Sequence, residues 1–392
     1  MSFEDNQLIL VQSEQLQPGM YVAELDKSWR HTPFHHRGFV IEDAAQLELL
    51  QTCCDHVYVD PGKSTAGLFP EDGLVNTPPE NEVYSVGIPH QLNGAREALG
   101  DVVALVAATV RAARKTGRID IGPINQQVDI LLEHVLTSPD AIQWLLATET
   151  TRGLLNRRAL GTSVLSIVFG RHMGFDQQEL HNLALGGLLL DIGKTSVPVP
   201  ILAKPGHLNS AERTFVNRHV TDGLSMIRFN SDVMERVIDM VSAHHERIDG
   251  SGYPHKIAGT EIPLFARMAG IVDTFDALTL NRNYASARSG HSALRFLDAL
   301  RDIKFDSALV DEFIRAVGVY PTGTCVELID RSVGLVCSQN AGLPKNPNVL
   351  LTTDSTGQAL GTMLILEPAD NIRIARALPA TSLASDPRFL NR

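Results

Sequence analysis

The chain has 392 residues, of which 44% are hydrophobic and 20% charged, and it carries a formal net charge of −11. This composition is typical of a globular protein with room for two or three domains and a sizeable core. The acidic balance argues against a nucleic-acid polymer as partner, because such partners need a broad basic surface. It leaves open a small phosphate ligand in a local basic pocket.

The N-terminal stretch and the cysteines predict a cytoplasmic protein. The first residues are polar and acidic, with neither a basic segment before an apolar run nor a stretch long enough to span a membrane. Cys53 and Cys54 are adjacent, which is poor geometry for a structural disulfide, and Cys325 and Cys337 complete no CxxC metal spacing. A reducing compartment is the simpler interpretation.

In chain order, the apolar patterns predict a mainly α protein with a small β module at each end. Residues 1–65 contain the strand-like runs LILVQSEQL, MYVAELD and HVYVD and one short helical run, AAQLELLQTC. Residues 66–90 are rich in Pro, Gly and polar residues and are interpreted as a linker. Three- and four-residue apolar spacing predicts a helical connector over 91–150 and a helical domain over 151–317. Alternating runs then predict a β-containing extension over 318–392.

Side chains suited to a divalent metal such as Fe, Mn or Zn are concentrated in the helical domain. The candidate ligands are Asp191, His219, His244, His245 and Asp273. On a helix the two adjacent imidazoles point about 100° apart, so they could serve two metals, or one metal and a ligand. Taken alone, His219 is more simply a solvated or hydrogen-bonded surface residue.

A pair of carboxylates lies on one predicted apolar helix. Asp273 and Asp276 are three residues apart, near one face of that helix. Besides ligating a metal, one of them could be a helix N-cap or the ion-pair partner of Arg267 or Arg282.

The order of several motifs resembles the HD-GYP family, metal-dependent phosphodiesterases of bacterial cyclic di-GMP signalling. The motifs are Ile192-Gly193-Lys194, His244-His245-Glu246, Gly252-Tyr253-Pro254 and Asp273 through Leu278. The resemblance covers roughly residues 150–317 and implies an HD-type helical bundle. The runs before and after this region resemble modules that often flank HD-GYP domains.

The resemblance also implies roles for individual residues. Asp191 and Lys194 match catalytic positions, and the five candidate ligands match metal positions. Lys194, Tyr253, Arg267 and Arg282 are expected to bind the substrate, cyclic di-GMP or its linear dinucleotide product. The Gly252–Pro254 loop resembles the loop through which relatives bind diguanylate cyclases.

Three positions depart from the family pattern. Leu190 replaces the His of the His-Asp dyad, and counting back from Gly174 places Arg158 and Leu154 where a His and a Glu ligand stand in active members. Leucine cannot ligate, and arginine puts a permanent cation where a metal would sit. We therefore expect a degenerate centre with one ion or none, and Arg158 lying near Asp191 or Asp273.

The departures leave three functions open. The first is a cyclic di-GMP signalling protein that binds nucleotide or a partner and hydrolyses the phosphodiester weakly at most. The second is a fully active phosphodiesterase that recruits other ligands. The third is a non-catalytic interaction module that docks through the Gly-Tyr-Pro loop.

Overall fold

The structure, a computed structural model, describes residues 9–25, 38–54, 56–60, 63–65, 88–148, 154–228, 230, 233–280, 287–340, 343, 345–366 and 373–379. It contains two compact units, Met1–Ser85 with Ala341–Leu343 and Val86–Asn340 with Pro344–Arg392. Within the described ranges, no helix combines the length and apolar character needed to cross a membrane.

The N-terminal unit contains an antiparallel four-stranded sheet with one helix. Its strands are β1 (Ile9–Gln12), β2 (Tyr21–Leu25), β3 (Phe39–Val40) and β4 (His56–Asp60), in the spatial order β1-β4-β2-β3. Helix α1 (Ala44–Cys53) begins after Asp43, whose side chain caps it by accepting the N–H of Gln46. The predicted β-rich module with one short helix is confirmed.

Twelve helices of the second unit fall in its described part, and they confirm the mainly α fold. They are α2 (Ile88–Thr116), α3 (Gly122–Thr137), α4 (Pro139–Thr148), α5 (Leu154–His172), α6 (Gln177–Leu189), α7 (Val199–Leu202), α8 (Ser210–Asn217), α9 (His219–Ile227), α10 (Glu235–Ala243), α11 (Leu264–Thr279), α12 (Gly290–Asp298) and α13 (Ser307–Val317). The first of them begins inside the predicted linker.

Helices α5 and α6 pack closely at the centre of this unit. The hydroxyl of Thr162 on α5 donates to the carbonyl of Gly187 on α6 at 2.7 Å, and that of Ser163 donates to Ala184 at 2.8 Å. These bonds satisfy polar groups that would otherwise be costly to bury. The close packing fixes the C-terminal end of α6, and hence the residues that follow it, beside α5.

The C-terminal extension is a five-stranded antiparallel sheet that packs on α4. Its strands are β5 (Cys325–Leu328), β6 (Val333–Ser338), β7 (Asn348–Thr353), β8 (Ala359–Leu366) and β9 (Ile374–Ala377), in the order β8-β7-β6-β5-β9. Trp144 of α4 packs against Cys337 and Leu350. Beside this contact, Asp140 accepts hydrogen bonds from the hydroxyl of Thr322 at 3.1 Å and the N–H of Gln339 at 3.2 Å.

Asp140, at the contact between α4 and the C-terminal sheet, is expected to make the free energy of unfolding depend on pH. Burial raises the pKa of Asp140 to about 6, so the folded chain holds this proton where the unfolded chain has lost it. The free energy of unfolding should therefore fall as pH rises from about 4 to 6. Asp140→Asn keeps an acceptor for both bonds and should be more stable than wild type by about 1–2 kcal/mol at pH 7.

Urea unfolding between pH 4 and 8 measures this difference. The control is Asp101→Asn on the exposed face of α2, expected to change stability by no more than about 0.5 kcal/mol. A stability difference between Asp140→Asn and wild type that stays constant over this range would contradict the prediction.

Candidate metal centre

The turn that carries Asp191 packs directly on the start of α9. Asp191 follows α6 and precedes a short 3₁₀ turn over Ile192–Ser196. A Cβ atom built on Gly193 would overlap the carbonyl oxygen of His219, so only glycine allows this approach. His219 is the first residue of α9 and is therefore held next to Asp191.

The histidine pair is held by the end of α10 and the turn after it. His244 caps the C-terminus of α10, and the guanidinium of Arg247 donates to the carbonyls of His244 at 3.0 Å and Glu246 at 2.7 Å. Glu246 in turn accepts the N–H groups of His255 at 2.6 Å and Lys256 at 3.0 Å. These hydrogen bonds connect the His244–Glu246 motif to the loop that contains Gly252–Pro254.

Four of the five predicted ligands converge. One side-chain donor atom from each of Asp191, His219, His244 and His245 lies within 4.8 Å of those of the other three. Asp191 Oδ1, His219 Nε2 and His244 Nε2 are buried and have no hydrogen-bond partner within the described part of the chain. Buried polar atoms are costly without partners, so this arrangement favours a bound cation.

The tautomers of two histidines support the same conclusion. His219 Nδ1 lies 2.8 Å from the carbonyl of Val216, and His244 Nδ1 lies 3.1 Å from that of Val241. A carbonyl accepts only, so each Nδ1 carries the proton and each Nε2 presents a lone pair. His219 Nε2 then faces the acceptor Asp191 Oδ1 at 3.4 Å, an opposition that a metal ion between them would relieve.

The electrostatic environment keeps these ligands in metal-binding forms. Burial lowers the pKa of His219 to about 4 and also lowers the pKa values of His244 and His245, so the imidazoles are neutral at pH 7. Burial alone would raise the pKa of Asp191. The nearby positive charges, of which Lys194 contributes most and Arg158 next, together outweigh burial, and the pKa of Asp191 lies well below its ordinary value.

Arg158 lies beside Asp191 and Asp273, where the sequence predicted it. Its side chain is buried and forms ion pairs with Asp273, with Asp276 at 3.2 Å and with Asp191 at 3.6 Å. It also donates to the backbone carbonyl of Asp273 at 3.3 Å. Burial alone would lower the pKa of Arg158, but the three carboxylates raise it above its ordinary value. Asp273, the fifth predicted ligand, is therefore engaged by a guanidinium.

The suggested ion pair between Arg267 and these aspartates is wrong. Arg267 pairs with Asp306 at 2.6 Å. It precedes Asp273 by six residues and Asp276 by nine, which on an α-helix turns its side chain well away from theirs. Its predicted role in substrate binding stays a prediction, and Arg282 lies outside the described residues.

Two of the remaining predicted residues, Lys194 and Tyr253, lie beside the four clustered ligands. Lys194 Nζ lies 2.6 Å from Asp191 Oδ2 and is partly exposed. The ring of Tyr253 stacks on that of His245 with centroids 4.7 Å apart. Leu190 is buried in the apolar core, and the side chain of Leu154 is outside the described part.

Sequence reasoning missed the second arginine of α5. Arg157 lies 3.4 Å from Asp276 Oδ1 and donates to the carbonyl of Leu146 at 2.9 Å, so Asp276 is shared by two adjacent arginines. Two neighbouring cations at the start of the largely apolar run ALGTSVLSIVFG were the available signal, because buried arginines require carboxylate partners.

Comparisons with known proteins identify related families and sequences. Residues 143–309 match the family described as HD domain, and residues 8–124 match a domain of unknown function, DUF3391. The chain is 33% identical over 348 residues to a protein of Pseudomonas aeruginosa named cyclic di-GMP phosphodiesterase, covering 86% of this chain and 83% of that protein.

Two further matches are shorter or more distant. Over 144 residues the chain is 35% identical to the cyclic di-GMP phosphodiesterase response regulator RpfG of Xanthomonas campestris, covering 36% of this chain and 38% of that one. A solved HDG"Y"P protein of Bdellovibrio bacteriovorus aligns with 78% of this chain and 98% of its own, at 14% identity and a TM-score of 0.43.

Proposed function

Because the chain belongs to the HD-GYP family, we propose that it acts in cyclic di-GMP signalling with a metal centre reduced to one divalent ion. It binds the cyclic dinucleotide or its linear product and hydrolyses the phosphodiester slowly at most. The observation that carries this proposal is the buried guanidinium of Arg158, paired with three carboxylates.

The positive charge of Arg158 is the reason why a second metal ion is not expected in this site. Arg158 is a permanent cation, and its position between Asp191 and Asp273 takes up carboxylate oxygens that a further metal would need. A second divalent ion there would meet a fixed positive charge in a buried site, where like charges repel strongly. Asp273 is accordingly proposed as an ion-pair partner of Arg158.

One ion fits the remaining ligands. Asp191 Oδ1, His219 Nε2 and His244 Nε2 supply three buried lone pairs, and His245 supplies a fourth ligand. A divalent Fe, Mn or Zn ion bound there would act as a Lewis acid toward a phosphate oxygen and lower the pKa of a bound water. A two-metal clamp on the attacking and leaving oxygens would be missing.

The chain's own residues bind and orient the nucleotide in this proposal. Lys194 is partly exposed beside Asp191, so its ammonium can neutralise a phosphate oxygen. Tyr253, stacked on His245, forms an aromatic wall next to the ligands. Arg282 is proposed to contact the phosphate from the segment after α11.

Metal content and turnover test the proposal together. Wild type should bind about one Mn²⁺ per chain and hydrolyse cyclic di-GMP well below ~1 per second, the low end of ordinary enzyme turnover. His219→Ala should weaken Mn²⁺ binding by more than the ~10–100-fold typical of outer-shell changes, because it removes a ligand outright. The matched control is His172→Ala on α5, where His172 pairs with Glu312.

Titration calorimetry with Mn²⁺ and with cyclic di-GMP separates the alternatives. Two or three bound ions with rapid hydrolysis would establish the fully active phosphodiesterase instead. Binding of neither metal nor nucleotide would favour the interaction module. In that case the exposed residues Ser251, His255 and Lys256 around the half-buried Tyr253 would form the docking surface for a diguanylate cyclase or another signalling protein.

A further inference from the structure

A cavity bordered by Asp276 and Arg157 lies apart from Arg158. Its volume is about 150 Å³, and it lies between α4, α5, α11 and the segment Pro321–Cys325 that leads into β5. Of the candidate metal ligands and Arg158, none lines it. It is therefore distinct from the metal centre, although Asp276 borders both.

The polar side of this cavity favours an anion. Arg157 and Arg288 line it, together with Ser289 and Gly290 at the N-terminus of α12. Of the five N–H groups of Arg157, those without a bond to Asp276 or Leu146 have no partner in the described part of the chain. The first N–H groups of a helix add a positive dipole end.

A buried hydroxyl independently favours a bound anion in this cavity. Thr324 lines the cavity, is 3% exposed, and its Oγ1 has no hydrogen-bond partner within the described residues. A Cβ built on Gly290 would lie 3.0 Å from this oxygen, which places the hydroxyl beside the start of α12. A buried hydroxyl is costly without a partner, and a bound anion would accept a hydrogen bond from it.

The remaining walls and the size restrict the ligand. Leu146, Leu165, Phe275 and Val317 supply apolar surface. A cavity of roughly 150 Å³ accommodates a molecule about the size of benzene. Asp276 would repel a dianion such as phosphate more than a monoanion.

We propose that this cavity binds a small organic monocarboxylate with an apolar body of about six carbons. The carboxylate accepts hydrogen bonds from Arg157, Thr324 and the first N–H groups of α12, with Arg288 at the mouth. The apolar body lies against the leucine and phenylalanine side chains. The site is separate from the metal-dependent function proposed above.

Benzoate is a suitable probe, measured by ligand-observed NMR titration of the full chain. We expect saturable binding with a Kd on the order of 1 mM. Benzyl alcohol and inorganic phosphate should bind at least tenfold more weakly, because one lacks the charge and the other the apolar body.

Two variants test the assigned contacts. Arg157→Gln and Thr324→Val should each weaken benzoate binding roughly tenfold or more, since each removes a bond to a charged acceptor. Thr324→Val removes an unpaired buried hydroxyl and is expected to fold at least as well as wild type, so it keeps the test valid if Arg157→Gln is unstable. The control is Arg171→Gln, an exposed arginine on the same helix.

The metal-ligand variant His219→Ala should bind benzoate as wild type does, which separates this proposal from the proposed function. No saturable binding of benzoate in the millimolar range would overturn the proposal. Equal benzoate affinity in wild type and Thr324→Val would also overturn it.

Discussion

Replacing Arg158 with alanine is expected to lower the free energy of unfolding by about 3–5 kcal/mol, the usual cost of removing one member of a buried charge cluster. Arg158 is 5% exposed, and its guanidinium pairs with three carboxylates. Two of these, Asp273 and Asp276, lie on helix α11. Without Arg158, Asp191 and Asp276 keep Lys194 and Arg157, but the buried charge of Asp273 loses its guanidinium partner. Urea unfolding at pH 7 without metal measures the loss.

The same arginine change also has a specific chemical readout. Mn²⁺ should restore part of the stability of Arg158→Ala, because a divalent ion can replace the missing cation among the carboxylates. Arg171→Ala, which removes an exposed arginine of α5 that donates to the carbonyl of Leu136 at 3.0 Å, should cost about 1 kcal/mol or less. A loss in Arg158→Ala no larger than in this control would show that the carboxylates do not depend on Arg158.

The double change Arg158→His with Leu190→His is expected to restore binding of a second metal ion and to raise hydrolysis of cyclic di-GMP by about 10²-fold. It replaces the fixed cation and a buried leucine with imidazoles at two of the three positions that depart from the family pattern, and it frees Asp273 from its ion pair. A second metal ion stabilises the transition state by several kcal/mol, and this corresponds to a rate increase of at least about 10²-fold.

The matched control for the double variant is Leu190→His alone. This single change adds a ligand but leaves Arg158 in place, so it should bind no more Mn²⁺ than wild type. Metal analysis after dialysis, with turnover measured on the same samples, distinguishes the two variants. If the double variant binds no more metal than wild type, Arg158 is not what excludes the second ion.

Much of the fold followed from local patterns. The run DQQELHNLALGGLLL predicts a helix, and α6 begins there with a capping box between Asp176 and Glu179. Most strands of both sheets fell where alternating runs predicted them, although β3 and β9 were not predicted. Local signals suffice for such elements because neighbouring residues determine the caps, the turns and the side-chain periodicity.

The candidate site was only partly visible in the sequence. Motif order brought Asp191, His219, His244 and His245 to attention, and they do converge. Arg158 was expected near Asp191 or Asp273 and pairs with both, but its contact with Asp276, 118 residues away, was not predicted. Arg267, much nearer in sequence, points to a different side of α11 and pairs with Asp306.

By itself, the sequence determined the mainly α architecture, the family resemblance and five candidate ligands, four of which converge. Only the tertiary structure decided that Arg158 pairs with Asp276 as well, that Asp276 is shared with Arg157, and that Asp276 borders a cavity in which the Thr324 hydroxyl has no partner among the described residues. The physical reason is that a buried charge or hydroxyl is satisfied by whichever group meets it in space, and packing of distant segments sets that meeting.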